Sequence, residues 1–216
     1  PGSRYGQGAV GGQRVRAAEI LVKFAIVTPS FQQGRFIRQT LDSVAGQRGG
    51  FEIDHHVQDG GSTDETVSVL EDFQSGAGDR PGYRFGFASA PDEGQTQAIN
   101  LGFEQVDGDV FAWLNSDDYY EPGALEAVRR VFDEHPAVDV VYGQRRYVDT
   151  DGAEITVSGS PFSRWFLERV DFIPQETVFW RKRIFDVVGR RLDEEYAFSM
   201  DYDLWIRFLH AGARFH

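Results

Sequence analysis

Short apolar runs alternate along this chain with segments whose apolar residues recur every three or four positions. Leu21 to Thr28, Phe51 to Gln58, Tyr83 to Ala88, Val110 to Leu114 and Val138 to Tyr142 read as strands. Between them lie helical patterns: Ile37, Leu41 and Val44; Val67, Leu70 and Phe73; Ile99, Phe103 and Val106; and Leu125, Val128 and Phe132. Ser62 and Glu65 fit a capping box for the second helix. Pro122 suits the first position of the fourth. Ala98 and Gly102 are small enough to let the third lie close to a sheet. The order β-α-β-α-β-α-β-α-β predicts a mostly parallel sheet flanked by helices, an α/β architecture.

After this regular half the pattern loosens. Arg145 to Val148 and Glu154 to Val157 alternate around Asp151-Gly152, as in a hairpin. Ser160-Pro161 opens a short helix with Trp165 and Phe166. A strand is expected over Thr177 to Trp180, then helical turns over Arg181 to Val188, closed by Gly189. A last helix with Leu204, Phe208 and Leu209 inward stops at Gly212. The residues before His216 read as the start of another strand, so a longer natural protein is expected. Residues 1–20, rich in Gly, Gln and Arg, read as a tail.

Composition narrows the functional classes. The 216 residues include no cysteine, which excludes disulfides, thiolate metal sites and cysteine nucleophiles. A formal net charge of −12 argues against a nucleic-acid partner. No apolar run approaches the roughly 20 residues of a membrane-spanning helix, and no signal-peptide core is visible. No G-x-G-x-x-G follows a strand, and no P-loop, G-x-S-x-G or H-E-x-x-H is present. His55 and His56 are adjacent in a strand and point to opposite faces. Carboxylates remain: Asp59, Asp92, Asp117, Asp118 and Asp201.

Their placement is informative. The run Val110-Phe111-Ala112-Trp113-Leu114 ends in Asn115-Ser116-Asp117-Asp118. Carboxylates at the carboxyl edge of a sheet can hold a hard cation, where open α/β folds bind ligands. The competing reading is an acidic turn. Asp59 ends another strand before Gly60-Gly61, whose lack of side chains permits a tight turn and a close ligand. It either accepts a hydrogen bond from a neutral donor or caps its own turn.

In order and spacing, five segments resemble the inverting GT-A glycosyltransferases of family 2. They are Ile26 to Phe31, Gln58 to Asp64, Asp92 to Gly102, Trp113 to Asp118 and Met200 to Trp205. The likeness runs from about Phe24 to His216. It implies a single GT-A domain, Rossmann-like, over 21–216. Within it, 21–143 would bind the nucleotide sugar and 144–216 would form a smaller, irregular acceptor side.

The resemblance implies roles. Thr28 and Pro29 wall the nucleotide base, Asp59 accepts from its N–H, and Asp92, Asn115 and Ser116 complete the donor site. Asp117 binds Mn²⁺ or Mg²⁺ at the diphosphate, and Asp201 is the general base. Gln175, Glu176, Trp180 and Trp205 line the acceptor side, with core packing the competing reading for both tryptophans. UDP or dTDP sugars are the expected donors, with GDP sugars also compatible. The acceptor would be a saccharide or lipid-linked hydroxyl, in glycan or polysaccharide synthesis. A cytoplasmic location is implied, with peripheral contact at the inner face of the membrane compatible with it.

Two departures stand out. Asn115 replaces the first Asp of the D-x-D motif, and Met200 replaces the Glu that often precedes the base. They leave room for an inactive carbohydrate-binding relative. The other alternative, a sugar nucleotidyltransferase, would want a glycine-rich basic loop after the first strand. Pro29 to Arg35 holds one glycine, which counts against it.

Overall fold

The computed structural model describes residues 21–77, 79–149, 153–196 and 198–216. The expected tail and the hairpin tip at Asp151-Gly152 lie outside them. Nine strands and seven α-helices are assigned among the described residues. Four strands run parallel at the centre: β4 (Tyr83–Ser89), β2 (Phe51–Asp59), β1 (Val22–Ser30) and β5 (Val110–Trp113). An antiparallel β3 (Asp79–Arg80) edges β4. On the other side β9 (Phe179–Arg181) runs antiparallel to β5 and pairs with β6 (Val140–Val141), giving the order β3-β4-β2-β1-β5-β9-β6. The expected hairpin, β7 (Arg145–Val148) with β8 (Glu154–Ser158), forms a separate small sheet. Phe215, in the terminal segment read as a strand, bridges to Val140.

The period-two pattern of β1 explains the layers. Phe24 and Ile26 face one core, packed with Ile37, Leu41 and Val44 of α1 (Ile37–Ala45). Leu70 of α2 (Thr66–Ala77) and Leu125 of α4 (Ala124–Glu134) join them there. Ala25 and Val27 face the other core, with Ile99 and Phe103 of α3 (Gln95–Phe103), Phe185 of α6 (Lys182–Val187) and Leu204 and Phe208 of α7 (Met200–His210). The short α5 (Arg164–Leu167) contributes Leu167 to that side. Gly102 does let α3 lie close: a Cβ there would sit 2.4 Å from Val27 Cγ1.

Two helix starts differ from the sequence pattern. Ser62 does not cap α2, because its hydroxyl donates to Asp59 Oδ1 and accepts from Gln32 N. Asp64 serves instead, accepting from Thr66 N at 3.0 Å. Pro122 is not the first residue of α4, which begins at Ala124 after Gly123 turns the chain at φ 86°. That left-handed conformation suits glycine and cannot be part of the helix.

His55 is fully buried on β2, between the Thr28 hydroxyl at Nε2 and the Tyr83 hydroxyl at Nδ1, both at 3.0 Å. Burial, and then His56, lowers its pKa to about 3. The unfolded chain therefore binds a proton that the folded chain refuses between about 3 and the ordinary 6.5. His55's contribution is complete above about 6.5 and declines as pH falls, by up to ~1.4 kcal/mol per pH unit. Urea unfolding at pH 7 and pH 5 should show this loss, and His55→Gln should reduce the difference between the two pH values.

Candidate functional site

The carboxyl ends of the parallel strands form one rim. Ser30, Asp59 and Ser89 stand in register across β1, β2 and β4. Asp59 has no exposed surface. Its Oδ2 accepts from Gly61 N at 3.1 Å, Ser62 N at 2.8 Å and the Ser89 hydroxyl at 2.6 Å, while Oδ1 accepts from the Ser62 hydroxyl. Of the two readings left open by the sequence, the structure favours the one in which Asp59 ties down its own turn. Thr28 is likewise buried, with its hydroxyl committed to His55. Neither Thr28 nor Asp59 lines the two clefts that hold the other expected site residues, contrary to the expectation that both face a nucleotide. An ionised carboxylate already satisfied by four donors is poorly available to another.

The chain just beyond those ends lines a cleft of about 700 Å³. Its walls include Pro29, Phe31, Gly60, Asp92, Asn115, Ser116 and Asp117. Five of the residues expected at a nucleotide site or metal thus come together, from the ends of β1, β4 and β5. Ser116 is buried, with its carbonyl fixed by the Thr40 hydroxyl at 2.9 Å. Asp117 is exposed, and no hydrogen-bond or ion-pair partner of its carboxylate occurs among the described residues.

A second cleft, of about 460 Å³, lies beside α7 and shares Gln95 and Asn115 with the first. It is lined by Asp201, Asp171, Asp118, Gln175, Glu176 and Arg145, among others. Asn115 is the hinge of both. Its Oδ1 accepts from Gln95 Nε2 at 2.8 Å, and its Nδ2 donates to Asp118 Oδ2 and Gln175 Oε1, each at 3.3 Å. Gln175 in turn donates to the Trp113 carbonyl at 2.9 Å. An aspartate at position 115 could accept from Gln95 but could not donate to Asp118 and Gln175, so the Asn fits this network.

Trp180 and Trp205 are corrected from the acceptor wall to the core, both being wholly buried. Trp113 stacks on Trp205 at 5.7 Å and meets Trp180 edge-on at 5.6 Å. Large aromatic area gains most when removed from water, which decides between the two readings. Gln175 and Glu176 do face the second cleft, and Arg145 pairs with Glu176 at 3.5 Å.

Asp201 sits in the first turn of α7. Ser199 before it is held at φ 62°, a strained conformation for a residue with a side chain, and also lines the cleft. Asp203 is turned aside and pairs with Arg207 at 2.7 Å. Gln95, Arg145 and Asp171 were not anticipated as site residues. Gln95 lies in one of the five resembling segments, which was a usable signal. Arg145 and Asp171 come from the irregular half and carry none.

Burial, then the charges of Glu176 and Asp117, raises the pKa of Asp118 to about 6. Burial, then Asp201, does the same to Asp171. The carboxylates of Asp117 and its neighbour Asp118 are oxygen donors of the kind a hard divalent cation takes. No group of three acidic or histidine side chains close enough to cage an ion occurs among the described residues. The arrangement fits an ion of the Mg²⁺ or Mn²⁺ kind, which binds one or two carboxylates and takes its other ligands from water and substrate phosphates.

Comparison with known proteins gives the family and the fold. The family model described as Glycosyl transferase family 2 matches residues 25–197. A "PGL/p-HBAD biosynthesis glycosyltransferase" from Mycobacterium bovis is 30% identical over 193 residues, covering 85% of this chain and 68% of that protein. The crystal structure of S. aureus TarS in complex with UDP-GlcNAc superposes with a TM-score of 0.65 at 19% identity, over 86% of this chain and 52% of that one. A mannosyltransferase from Pyrobaculum calidifontis, in complex with GDP-Man and Mn²⁺, does so with a TM-score of 0.67 at 16% identity, over 90% and 54%. The chain thus spans about half the length of these two solved relatives. The fold is that of GT-A transferases.

Proposed function

The chain belongs to glycosyl transferase family 2, and we propose that it is a metal-dependent, inverting transferase that moves a sugar from a nucleoside diphosphate to a hydroxyl acceptor. One observation carries this reading. Asp117, with its carboxylate unengaged, opens into the cleft at the strand ends, while Asp201 opens into the adjoining one, and the two meet at Gln95 and Asn115. Two adjoining clefts of this kind support a reading with the leaving group in one and the base in the other.

In this reading the 700 Å³ cleft holds the nucleotide diphosphate and the 460 Å³ cleft the acceptor. Asp117 would hold the cation. When bound, the cation would supply Lewis acidity to the departing diphosphate. Asn115 keeps the junction in place through Gln95 and Gln175. Asp201 accepts the proton of the acceptor hydroxyl as the oxygen attacks the anomeric carbon. The bond to the diphosphate breaks on the far face, so one displacement inverts the configuration. Gln175 and Glu176 offer polar contacts to acceptor hydroxyls, and the exposed rings of Tyr147 and Phe198 beside them suit the apolar face of a sugar.

Donors bound by solved relatives include UDP-GlcNAc and GDP-Man. UDP or dTDP sugars are the proposed donors, with GDP sugars the next class, and the acceptor a saccharide or lipid-linked saccharide. No helix among the described residues is long and apolar enough to cross a membrane. The test is release of nucleoside diphosphate from a panel of UDP, dTDP and GDP sugars with mixed saccharide acceptors, with and without Mn²⁺. Release with one donor that stops under chelation is expected. Pyrophosphate from a nucleoside triphosphate and a sugar phosphate would instead indicate a nucleotidyltransferase. Saccharide binding with no nucleotide binding would indicate an inactive relative.

A further inference from the structure

Gly60 lines the cleft directly after β2, and the carboxylate of Asp92, from the loop after β4, lies against the space a side chain at position 60 would take. A Cβ at position 60 would lie 3.0 Å from Asp92 Oδ2 and 3.2 Å from Oδ1. Oδ1 accepts from Gly94 N at 2.9 Å, which fixes the carboxylate's orientation. Oδ2 has no hydrogen-bond partner among the described residues, and Asp92 lines the cleft. Asp59, one position before Gly60, is buried and satisfied on both oxygens.

The topology says which part of a ligand Asp92 would meet. Asp117 and Asn115 follow β5, at one side of the cleft. Gly60 and Asp92 follow β2 and β4, two and three strands from β5 in the sheet. If the diphosphate lies at Asp117, the base lies toward Pro29, Phe31, Gly60 and Asp92.

We infer that Asp92, through Oδ2, reads the ring N–H of the donor's base, and that Asp59 only holds the turn beneath it. The assignment rests on the nucleotide-sugar reading above and adds the residue that selects the base. A carboxylate accepts and cannot donate. Uracil and guanine present a ring N–H; cytosine and adenine present a bare ring nitrogen at the corresponding place. Uridine or guanosine nucleotides are therefore accepted, and cytidine and adenosine nucleotides leave Oδ2 facing a lone pair. Gly60 is part of the device, because any side chain there would push Asp92 away.

Calorimetry with Mn²⁺ tests this on two pairs, UDP against CDP and GDP against ADP. The wild-type chain is expected to prefer UDP or GDP to its partner by about tenfold or more, the usual scale for a hydrogen bond to a charged group. Asp92→Asn keeps an acceptor for Gly94 N and adds an amide donor, so the preference should shrink by about tenfold or reverse. Gly60→Ala should weaken the preferred nucleotide without changing any polar group. Asp59→Asn should lower the melting temperature and weaken both members of a pair alike.

A preference in Asp92→Asn unchanged within about threefold would overturn the assignment while leaving the nucleotide reading intact. So would a preference lost in Asp59→Asn at an unchanged melting temperature. Binding of none of the four nucleotides by the wild-type chain would overturn both.

Discussion

Asp201→Asn should lower turnover by ~10²-fold or more while nucleotide affinity stays near the wild-type value. The amide is the same size and cannot take a proton at neutral pH. The magnitude follows from how firmly the carboxylate is held. α7 is anchored by Leu204, Trp205, Phe208 and Leu209, all buried. Trp205 stacks on Trp113, which ends β5 two residues before Asn115. Asp201, the proposed base, and the strand leading to Asp117, the proposed cation ligand, are therefore joined by one aromatic contact, and a group set on a packed element holds its geometry better than one on a loop. Asp203 is a built-in control. It lies about 200° around the helix from Asp201 and is engaged by Arg207. Asp203→Asn should cost some thermal stability and little turnover. Steady-state rates with the identified donor and acceptor, alongside diphosphate binding, check both. Near-full turnover in Asp201→Asn would move the base to Asp171 or Glu176, which face the same cleft.

The layers and most elements were legible because burial imposes a period on the sequence. Ile37, Leu41 and Val44 recur at helical spacing and meet the face of β1 that carries Phe24 and Ile26. What failed were local rules overruled at long range. Ser62 and Glu65 have the spacing of a capping box, yet Ser62 is drawn into a network with Asp59 and Gln32, which lies 30 positions away. Asp59 itself was ambiguous for the same reason. The Ser89 hydroxyl that completes its shell comes from a neighbouring strand and leaves no mark near position 59.

The placement of the candidate site residues was legible where they follow strand ends and opaque elsewhere. Asp92, Asn115, Ser116 and Asp117 are fixed by the parallel sheet, so position in a motif translates into position on the rim. Asp171 and Arg145 reach their cleft from an irregular segment and a hairpin, where no periodicity tells which face a residue takes. The tryptophans were open to two readings. Chemistry that suits a sugar also suits a core, and Trp180 and Trp205 went to the core because Trp113, Phe185 and Phe208 were there to pack against.

Asp117→Ala should abolish Mn²⁺-dependent binding of nucleoside diphosphate while leaving the fold intact. The fold survives because Asp117 is exposed and its carboxylate has no hydrogen-bond or ion-pair partner among the described residues to strand. Binding is lost because an ion of this kind depends on one or two protein carboxylates, and the diphosphate depends on the ion. Asp118 gives the contrast. Its carboxyl is raised to about 6, chiefly by burial. Between the ordinary carboxylate range and about 6 the folded chain holds a proton that the unfolded chain has released, so metal-free stability declines as pH rises through that window. Asp118→Asn should therefore raise the metal-free melting temperature at pH 7. It should weaken, and not erase, binding with Mn²⁺, since Asp117 still opens into the cleft proposed for the diphosphate. Calorimetry of diphosphate with and without Mn²⁺, paired with thermal melts of both variants, measures each effect. Unchanged Mn²⁺-dependent affinity in Asp117→Ala would place the cation on Asp118 and Glu176 instead, in the adjoining cleft.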